Sequence, residues 1–585
     1  MSSIGAETHR AWWKECSVYQ IYTPSFKDSN GDGIGDLCGV INKLDYIQNL
    51  GVDVVWLNPV FKSPQVDMGY DISDYFGIHP PYGTASDIDE LTEALHERGM
   101  KLVMDLVVNH TSDQHPWFEE SRSSPKSKYR DWYIWKRPKF GKDGKAAPPN
   151  NWASHFGGSA WEYDEASGEY YLHLFAKQQP DLNWENPAVR AAVEDIMRYW
   201  LDRGIDGFRM DVINFISKHK NFPDAPVSNP DSIWQSGAKY YACGPRLHEY
   251  LQNIGQILKE YDAFSVGEMP KLNDCDEIIK AVGFDRGELS MVFHFELMGL
   301  DRGTGGKFTP RNWKISELKS IVSKWQTFMH ENNGWNALYL ENHDQPRAVS
   351  RFAIDLPEYR ALSAKLLATF LGFQSGTVFI YQGQELGMAN VPHDWTIDRY
   401  RDIETLSHWE ELQVTNPNAA DIQAATLAEY RKKSRDNART PMQWDDSTHA
   451  GFSTADPWIP VHEDYATWNV NAQVADQRSV YHYWASVLQL RKKFPDVFVY
   501  GSFELITTDN SEVFAYTRHS STNVALVVLN FEPREVVWIM PHSVFCGRSA
   551  EVLLSNYNRG KVSIAAGEKI TLAALEALVL LDSSR

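Results

Sequence analysis

Eight short apolar runs alternate with helical stretches along the first 381 residues, and that rhythm limits the folds open to this chain. The runs fall at Val18–Tyr22, Val52–Leu57, Lys101–Val108, Gly207–Asp211, Phe264–Glu268, Ser290–Phe295, Trp335–Glu341 and Thr377–Tyr381. Several are apolar at nearly every position, as expected for strands buried on both faces of a parallel sheet. Between them lie helical stretches such as Asp87–Arg98, where Ile88, Leu91 and Leu95 form one stripe, and others at Pro187–Arg203, Pro245–Tyr261 and Pro357–Leu371. A parallel βα unit repeated eight times predicts an α/β fold, a TIM (β/α)8 barrel, with its site at the C-terminal ends of the strands.

Two breaks divide the chain further. After His110 about seventy residues rich in Trp, Tyr, Lys, Pro and Gly show no helical period. That is too long for a plain loop, so residues 111–180 read as a small domain inserted after the third strand. The barrel then takes residues 1–110 and 181–498, with a second, irregular insertion at 387–476 and a last helix near Val480–Phe494. Residues 499–585 turn β-rich, at Val513–Thr517, Val524–Leu529 and Leu578–Leu581, and predict a C-terminal all-β sandwich domain.

A formal net charge of −20 argues against nucleic acid and against an anionic membrane surface as partners. No apolar run approaches the ~20 residues of a membrane span. Met1–Thr8 lacks a basic start followed by an apolar run, so a cytoplasmic protein is expected. The five cysteines are scattered and lack Cys-x-x-Cys spacing, which fits neither a disulfide framework nor a zinc site. Nothing here fixes an oligomeric state.

Asp28-Ser29-Asn30-Gly31-Asp32-Gly33-Ile34-Gly35-Asp36 sets oxygen side chains at alternate positions, with glycines for a sharp turn. This resembles the first part of a calcium loop, although the twelfth position, Gly39, lacks the closing Glu. The expected ligands of a structural Ca2+ are Asp28, Asn30, Asp32, Asp36 and the carbonyl of Ile34. A solvated cluster of Asx turns is the competing reading.

Chemistry should sit where the strands end. Arg209 and Asp211, at i and i+2, point to one face of their strand. A carboxylate beside a guanidinium is favoured in its ionised form, as a nucleophile requires. Glu268 ends an apolar strand, and His343 and Asp344 follow another. Three acids (Asp211, Glu268, Asp344) from separate strand ends would converge on one mouth, and such crowding separates an acid from a base.

Asp105-Leu-Val-Val-Asn109-His110, Gly207-Phe-Arg209-Met-Asp211, Val266-Gly-Glu268 and Glu341-Asn-His343-Asp344-Gln resemble, in order, four sequence regions of the α-amylase superfamily of glycoside hydrolases. Gln179-Pro-Asp-Leu-Asn183 resembles a fifth, as found in its oligo-1,6-glucosidase and α-glucosidase branch, and the look is closest to fungal maltases and isomaltases. The resemblance implies Asp211 as nucleophile, Glu268 as acid/base and Asp344 as the residue holding the 2- and 3-hydroxyls. It implies His110, Arg209 and His343 on the same glucose ring, Tyr70 stacked on it, and Asp71 with Arg439 gripping the 4-hydroxyl in a closed pocket. The implied activity is exo-acting release of terminal glucose from small oligosaccharides of the maltose and isomaltose class, with transglucosylation where a sugar replaces water. Non-catalytic relatives carry a membrane anchor and have usually lost catalytic acids, whereas all three acids stand here.

Two carboxyls that face one anomeric carbon, one charged and one protonated, are the apparatus of a retaining glycosidase. The residue after the nucleophile is Val in many α-1,6-specific relatives and Thr or Ala in many α-1,4-specific ones. Val212 therefore leans towards isomaltose-type linkages, with a maltase or sucrose-cleaving α-glucosidase as the alternative.

Overall fold

The computed structural model describes residues 9–141, 144–507, 512–545, 549–557, 559, 563–565 and 567–582. Met1–Thr8 and Cys546 lie outside the described residues. Each of the eight expected strands is present: β1 (Ser17–Ile21), β2 (Val54–Leu57), β3 (Lys101–Leu106), β4 (Gly207–Met210), β5 (Phe264–Glu268), β6 (Met291–Phe293), β7 (Ala337–Leu338) and β8 (Thr377–Tyr381). They pair in parallel in the order β6-β5-β4-β3-β2-β1-β8-β7. A parallel bridge between Val292 and Asn336 joins β6 to β7 and completes the ring. Every residue of β1, β2, β4, β5 and β8 is buried, which is why these runs read as continuously apolar.

One glycine brings the site's strands together. A Cβ on Gly207 would fall 2.1 Å from the carbonyl oxygen of Phe264, its partner on β5. With hydrogen there instead, β4 packs closely enough to set Arg209 opposite Val266 on one side and Asp105 on the other.

The two insertions are more ordered than their sequences advertise. Residues 111–180, expected to lack helix, contain Pro116–Ser123, which starts at a proline and is capped by His115 accepting from the Trp117 amide. A three-stranded antiparallel sheet of Trp135–Lys136, Glu169–Leu172 and Trp161–Asp164 follows it. Residues 387–476, expected to be irregular, contain the helices Ile403–Thr415 and Ala420–Lys433. The first buries only Thr405, and the second only Glu429, Tyr430 and Lys433, so neither carries the apolar stripe that betrays a helix.

The C-terminal region is a six-stranded antiparallel sheet with a two-stranded ribbon, Val536–Ile539 and Lys569–Leu572, over one face. Val513, Ala515, Leu526, Val528 and Leu578 pack there with Trp538, Ile570 and Leu572 in one core. The alternate residues Phe514, Tyr516, Val527 and Leu529 join the barrel's core instead. Among the described residues no helix is long and apolar enough to cross a membrane. Cys16, Cys38, Cys243 and Cys275 are free thiols.

Candidate active site

Arg209 stands at the centre of the barrel mouth and is 1% exposed. Its Nη1 donates to Asp105 Oδ1 at 2.6 Å and to Asp211 Oδ1 at 2.8 Å, and its Nη2 donates to Glu268 Oε2 at 2.5 Å. One guanidinium thus gathers carboxyls from β3, β4 and β5, while its face lies 5.4 Å from the Trp56 ring. Asp211 and Glu268 also lie within hydrogen-bonding reach of each other.

Burial is the largest influence on both acids and raises both above their ordinary ranges, with Arg209 pulling the other way. Asp211 is therefore held less firmly ionised than a simple Arg–Asp pair implies, because desolvation outweighs the neighbouring cation. Glu268 is raised further, since the charges of Asp211 and Asp344 add to burial. Of the two coupled carboxyls Glu268 keeps the last proton.

Asp344 forms the opposite wall. Burial works against its charge, but His343, Arg435 and Arg439 together hold its carboxyl well below the usual range. Arg435 Nη1 lies 3.2 Å and Arg439 Nη2 3.0 Å from Asp344 Oδ1, and His343 Nε2 lies 3.0 Å from Oδ2. Arg439 also donates from Nε to the carbonyl oxygen of His343. Burial pushes His343 down to about 4, so its imidazole is neutral at pH 7.

Tyr70 stacks on the His343 ring at 5.2 Å and 9°. His110 is 1% exposed, and its Nε2 lies 3.0 Å from the carbonyl oxygen of Tyr70. Burial lowers the His110 pKa as well. Asp71 is not in the pocket. It is 0% exposed, and its oxygens accept from Ser63 Oγ and the amides of Val66 and Asp67, closing the turn beneath the site. The carboxylate that faces the mouth from this turn is Asp67, with Oδ1 2.9 Å from Arg435 Nη2 and Oδ2 accepting from Gln179.

Asp67 and Arg435 are site residues that motif reasoning missed. Arg435 precedes Arg439 by one helical turn, a spacing that would have signalled a shared face. Val212, directly after Asp211, has φ 35° and ψ 42°, the left-handed region that β-branched residues avoid. Its amide nitrogen lies 3.3 Å from Glu268 Oε2.

The loop of Asp28, Asn30, Asp32, Ile34 and Asp36 lies apart from these residues. Asp28 accepts from the amides of Asn30, Gly31 and Gly33 and from Ser453 Oγ. Asn30 accepts from the Asp32 amide and Asp32 from that of Ile34, while Asp36 caps the helix Leu37–Ile41. Among the described residues no three acidic, histidine or cysteine side chains are gathered as a metal cluster. The donor set here is nevertheless all oxygen, including an amide and a carbonyl, as hard cations take.

Residues 20–501 match the family model described as the alpha amylase catalytic domain. An α-glucosidase of Schizosaccharomyces pombe is 52% identical over 572 residues, covering 97% of this chain and 98% of that protein. An oligo-1,6-glucosidase of Parageobacillus thermoglucosidasius is 52% identical over 94% of this chain and 95% of its own length. The crystal structure of trehalose-6-phosphate hydrolase from Bacillus licheniformis superposes with a TM-score of 0.90 at 43% identity, over 98% of this chain and 100% of that one. With its eight-stranded barrel and its convergent acids, this chain belongs to the α-amylase family of glycoside hydrolases.

Proposed function

We propose that the enzyme is a retaining, exo-acting α-glucosidase that removes terminal glucose from short oligosaccharides, with a preference for α-1,6 linkages. The observation that carries this is the single guanidinium of Arg209 bound to both Asp211 and Glu268. Carboxyls that share one partner and reach each other belong with the ~5 Å separation of retaining enzymes rather than the ~6.5–9.5 Å of inverting ones. Asp211 attacks the anomeric carbon as the bond to the leaving oxygen breaks, and Glu268 gives that oxygen its proton. Glu268, now ionised, takes a proton from water, which displaces Asp211 and releases glucose with its α configuration. A sugar hydroxyl in place of that water makes the same site a transglucosylase.

Asp344 accepts from the 2- and 3-hydroxyls, and Tyr70, His110, Arg209 and His343 line the same ring. Asp67, rather than Asp71, works with Arg435 and Arg439 around the far end of the sugar. The preference for α-1,6 linkages rests on Val212, whose side chain offers no hydroxyl to a second sugar. A maltase is the second reading, favoured by the identity to a relative named α-glucosidase. A cytoplasmic location belongs to the same proposal.

Initial rates on isomaltose, maltose and sucrose, with the anomer of the first product read by NMR, test the proposal. α-Glucose first, from isomaltose fastest, is expected; β-glucose would exclude double displacement.

We further propose that Asp28, Asn30, Asp32, Asp36 and the Ile34 carbonyl hold Ca2+. Bound to the folded state alone, calcium at about a hundred times its Kd would add about 2.7 kcal/mol. A chelator should then lower the melting temperature and calcium restore it, with no shift in Asp28→Asn.

A further inference from the structure

Hydrogen bonds link Asp105 to His343, the neighbour of Asp344, beneath the pocket, through Tyr70, Asn58 and Gln20. Gln20, Asn58, Asp105 and His343 are all 2% exposed or less, so their direction is set by one another. At one end Asp105 already accepts from Arg209 and from Trp56 Nε1, both groups that only donate. Tyr70 OH, 3.3 Å from Asp105 Oδ2, therefore gives its proton to Asp105 and accepts from Asn58 Nδ2 at 2.9 Å. That turns Asn58 Oδ1 towards Gln20 Nε2, at 2.8 Å. The same Gln20 nitrogen lies 2.9 Å from His343 Nδ1.

An amide nitrogen cannot accept, so Nδ1 is the acceptor and the neutral ring carries its proton on Nε2. The other end is compatible with this. Nε2 lies 3.0 Å from Asp344 Oδ2 without a hydrogen bond to it, and Arg435 and Arg439 hold that carboxylate ionised, so a lone pair on Nε2 would face a negative charge. Reversing the direction would turn both amides over, deprive Asp105 of the tyrosine proton and set a bare lone pair against Asp344.

We infer that Gln20 is a positioning residue that fixes His343 in the Nε2–H tautomer, so the ring turns an N–H, not a lone pair, towards Asp344 and the hexose hydroxyls. The tautomer matters because Nε2 is buried beside an ionised Asp344 that Arg435 and Arg439 hold, and has no partner of its own, so its N–H is left for a substrate hydroxyl. With the proton on Nδ1, the imidazole would repel Asp344 and turn a lone pair to the sugar. Only the kinetic consequence rests on reading the pocket as a glucose site.

Nitrogen NMR of protein labelled with 15N-histidine tests this, with His343 assigned by the signals lost in His343→Asn. At pH 7 and without substrate the unmodified protein should show His343 protonated at Nε2 only. Gln20→Met should leave it a mixture of tautomers. Gln20→Glu, which sets a carboxylate against Nδ1 in a site that also faces Asp344, Arg209 and Arg439, should protonate both nitrogens. An Nδ1–H or charged ring in the unmodified protein would overturn the inference, whatever the substrate proves to be. An unchanged tautomer in both variants would overturn it equally. In kinetics, Gln20→Met should lower kcat/KM for the glucoside on the order of tenfold, the scale of one hydrogen bond to a charged group.

Discussion

The backbone amide of Val212 donates to Glu268, at 3.3 Å from Oε2, and Val212 itself is held at φ 35°. Such a backbone costs a β-branched residue about 1–3 kcal/mol and persists only where the surroundings enforce it. Val212 is 6% exposed among Ile134, Trp152 and Phe215, which supply that enforcement. Val212→Gly removes the strain, but loses about 1.5–3 kcal/mol of burial and adds glycine's entropy. The terms nearly offset, so urea unfolding should register a loss of about 1 kcal/mol, less than an unstrained buried Val→Gly. The rate should fall by tenfold or more, because a freed backbone no longer holds its N–H on Glu268. A Val212→Gly enzyme at full rate would show that the strain has no catalytic part.

The unequal rise of the two acids predicts a pH profile with separable limbs. The proposed mechanism needs Asp211 ionised and Glu268 protonated, so the acid limb reports the first and the alkaline limb the second. Both limbs should lie above the ordinary carboxylate range, since burial raises both groups. Stability follows with a definite sign. The Glu268 pKa is higher folded than unfolded, so its contribution is fullest below the unfolded value, about 4.3, and is lost as pH rises towards the folded value. Glu268→Gln should therefore leave the melting temperature nearly unchanged at pH 4 and raise it at pH 8, while abolishing turnover. A uniform shift at both pH values would contradict this account.

Asp67 and Asp71, four residues apart, should separate binding from folding. Asp67→Asn weakens a carboxylate that faces Arg435 across the mouth, so KM for a disaccharide should rise at least tenfold. Arg435 keeps Asp344 and Asp402 as partners, so the melting temperature of Asp67→Asn should move less than that of Asp71→Asn. Asp71 accepts from two amides and a hydroxyl at 0% exposure, and a neutral, half-donor amide there costs about 1–3 kcal/mol. If Asp71→Asn were the binding mutant and Asp67→Asn the unstable one, the assignment made here would be reversed.

The same pair shows where sequence reasoning stopped. Strand patterns found all eight barrel strands because burial on both faces writes a continuous apolar run. The acids at positions 211, 268 and 344 were legible because each sits where such a run ends. Asp71 was misplaced because a turn lets one of two nearby carboxylates face the pocket, and only hydrogen-bond partners decide which. Arg435 was missed because its segment shows no apolar stripe, since its neighbours are paired ions rather than packed hydrocarbon. Gln20 was passed over for a similar reason: on an all-buried strand, no alternation marks the residue with a polar task.

Arg209 offers the most demanding test, because three carboxyls depend on it. Nη1 serves Asp105 and Asp211, and Nη2 serves Glu268. A lysine is a single point charge without the planar fork and cannot reach all three. Arg209 pulls Asp211 and Glu268 down against burial, so Arg209→Lys should move both limbs of the pH profile to higher pH. At pH 7 more Asp211 would then be protonated, and the rate should fall by at least a hundredfold, with partial recovery as the pH is raised. Arg209→Met removes the cation altogether and leaves buried carboxylates unpaired, a loss of about 3–5 kcal/mol. That loss should be greatest at alkaline pH and shrink towards pH 5, where the carboxyls take up protons and no longer need the partner. Urea unfolding at pH 5, 7 and 8.5 reads the trend, and a loss independent of pH would mean that Arg209 supports the barrel by packing, with no hold on the charge of the acids around it.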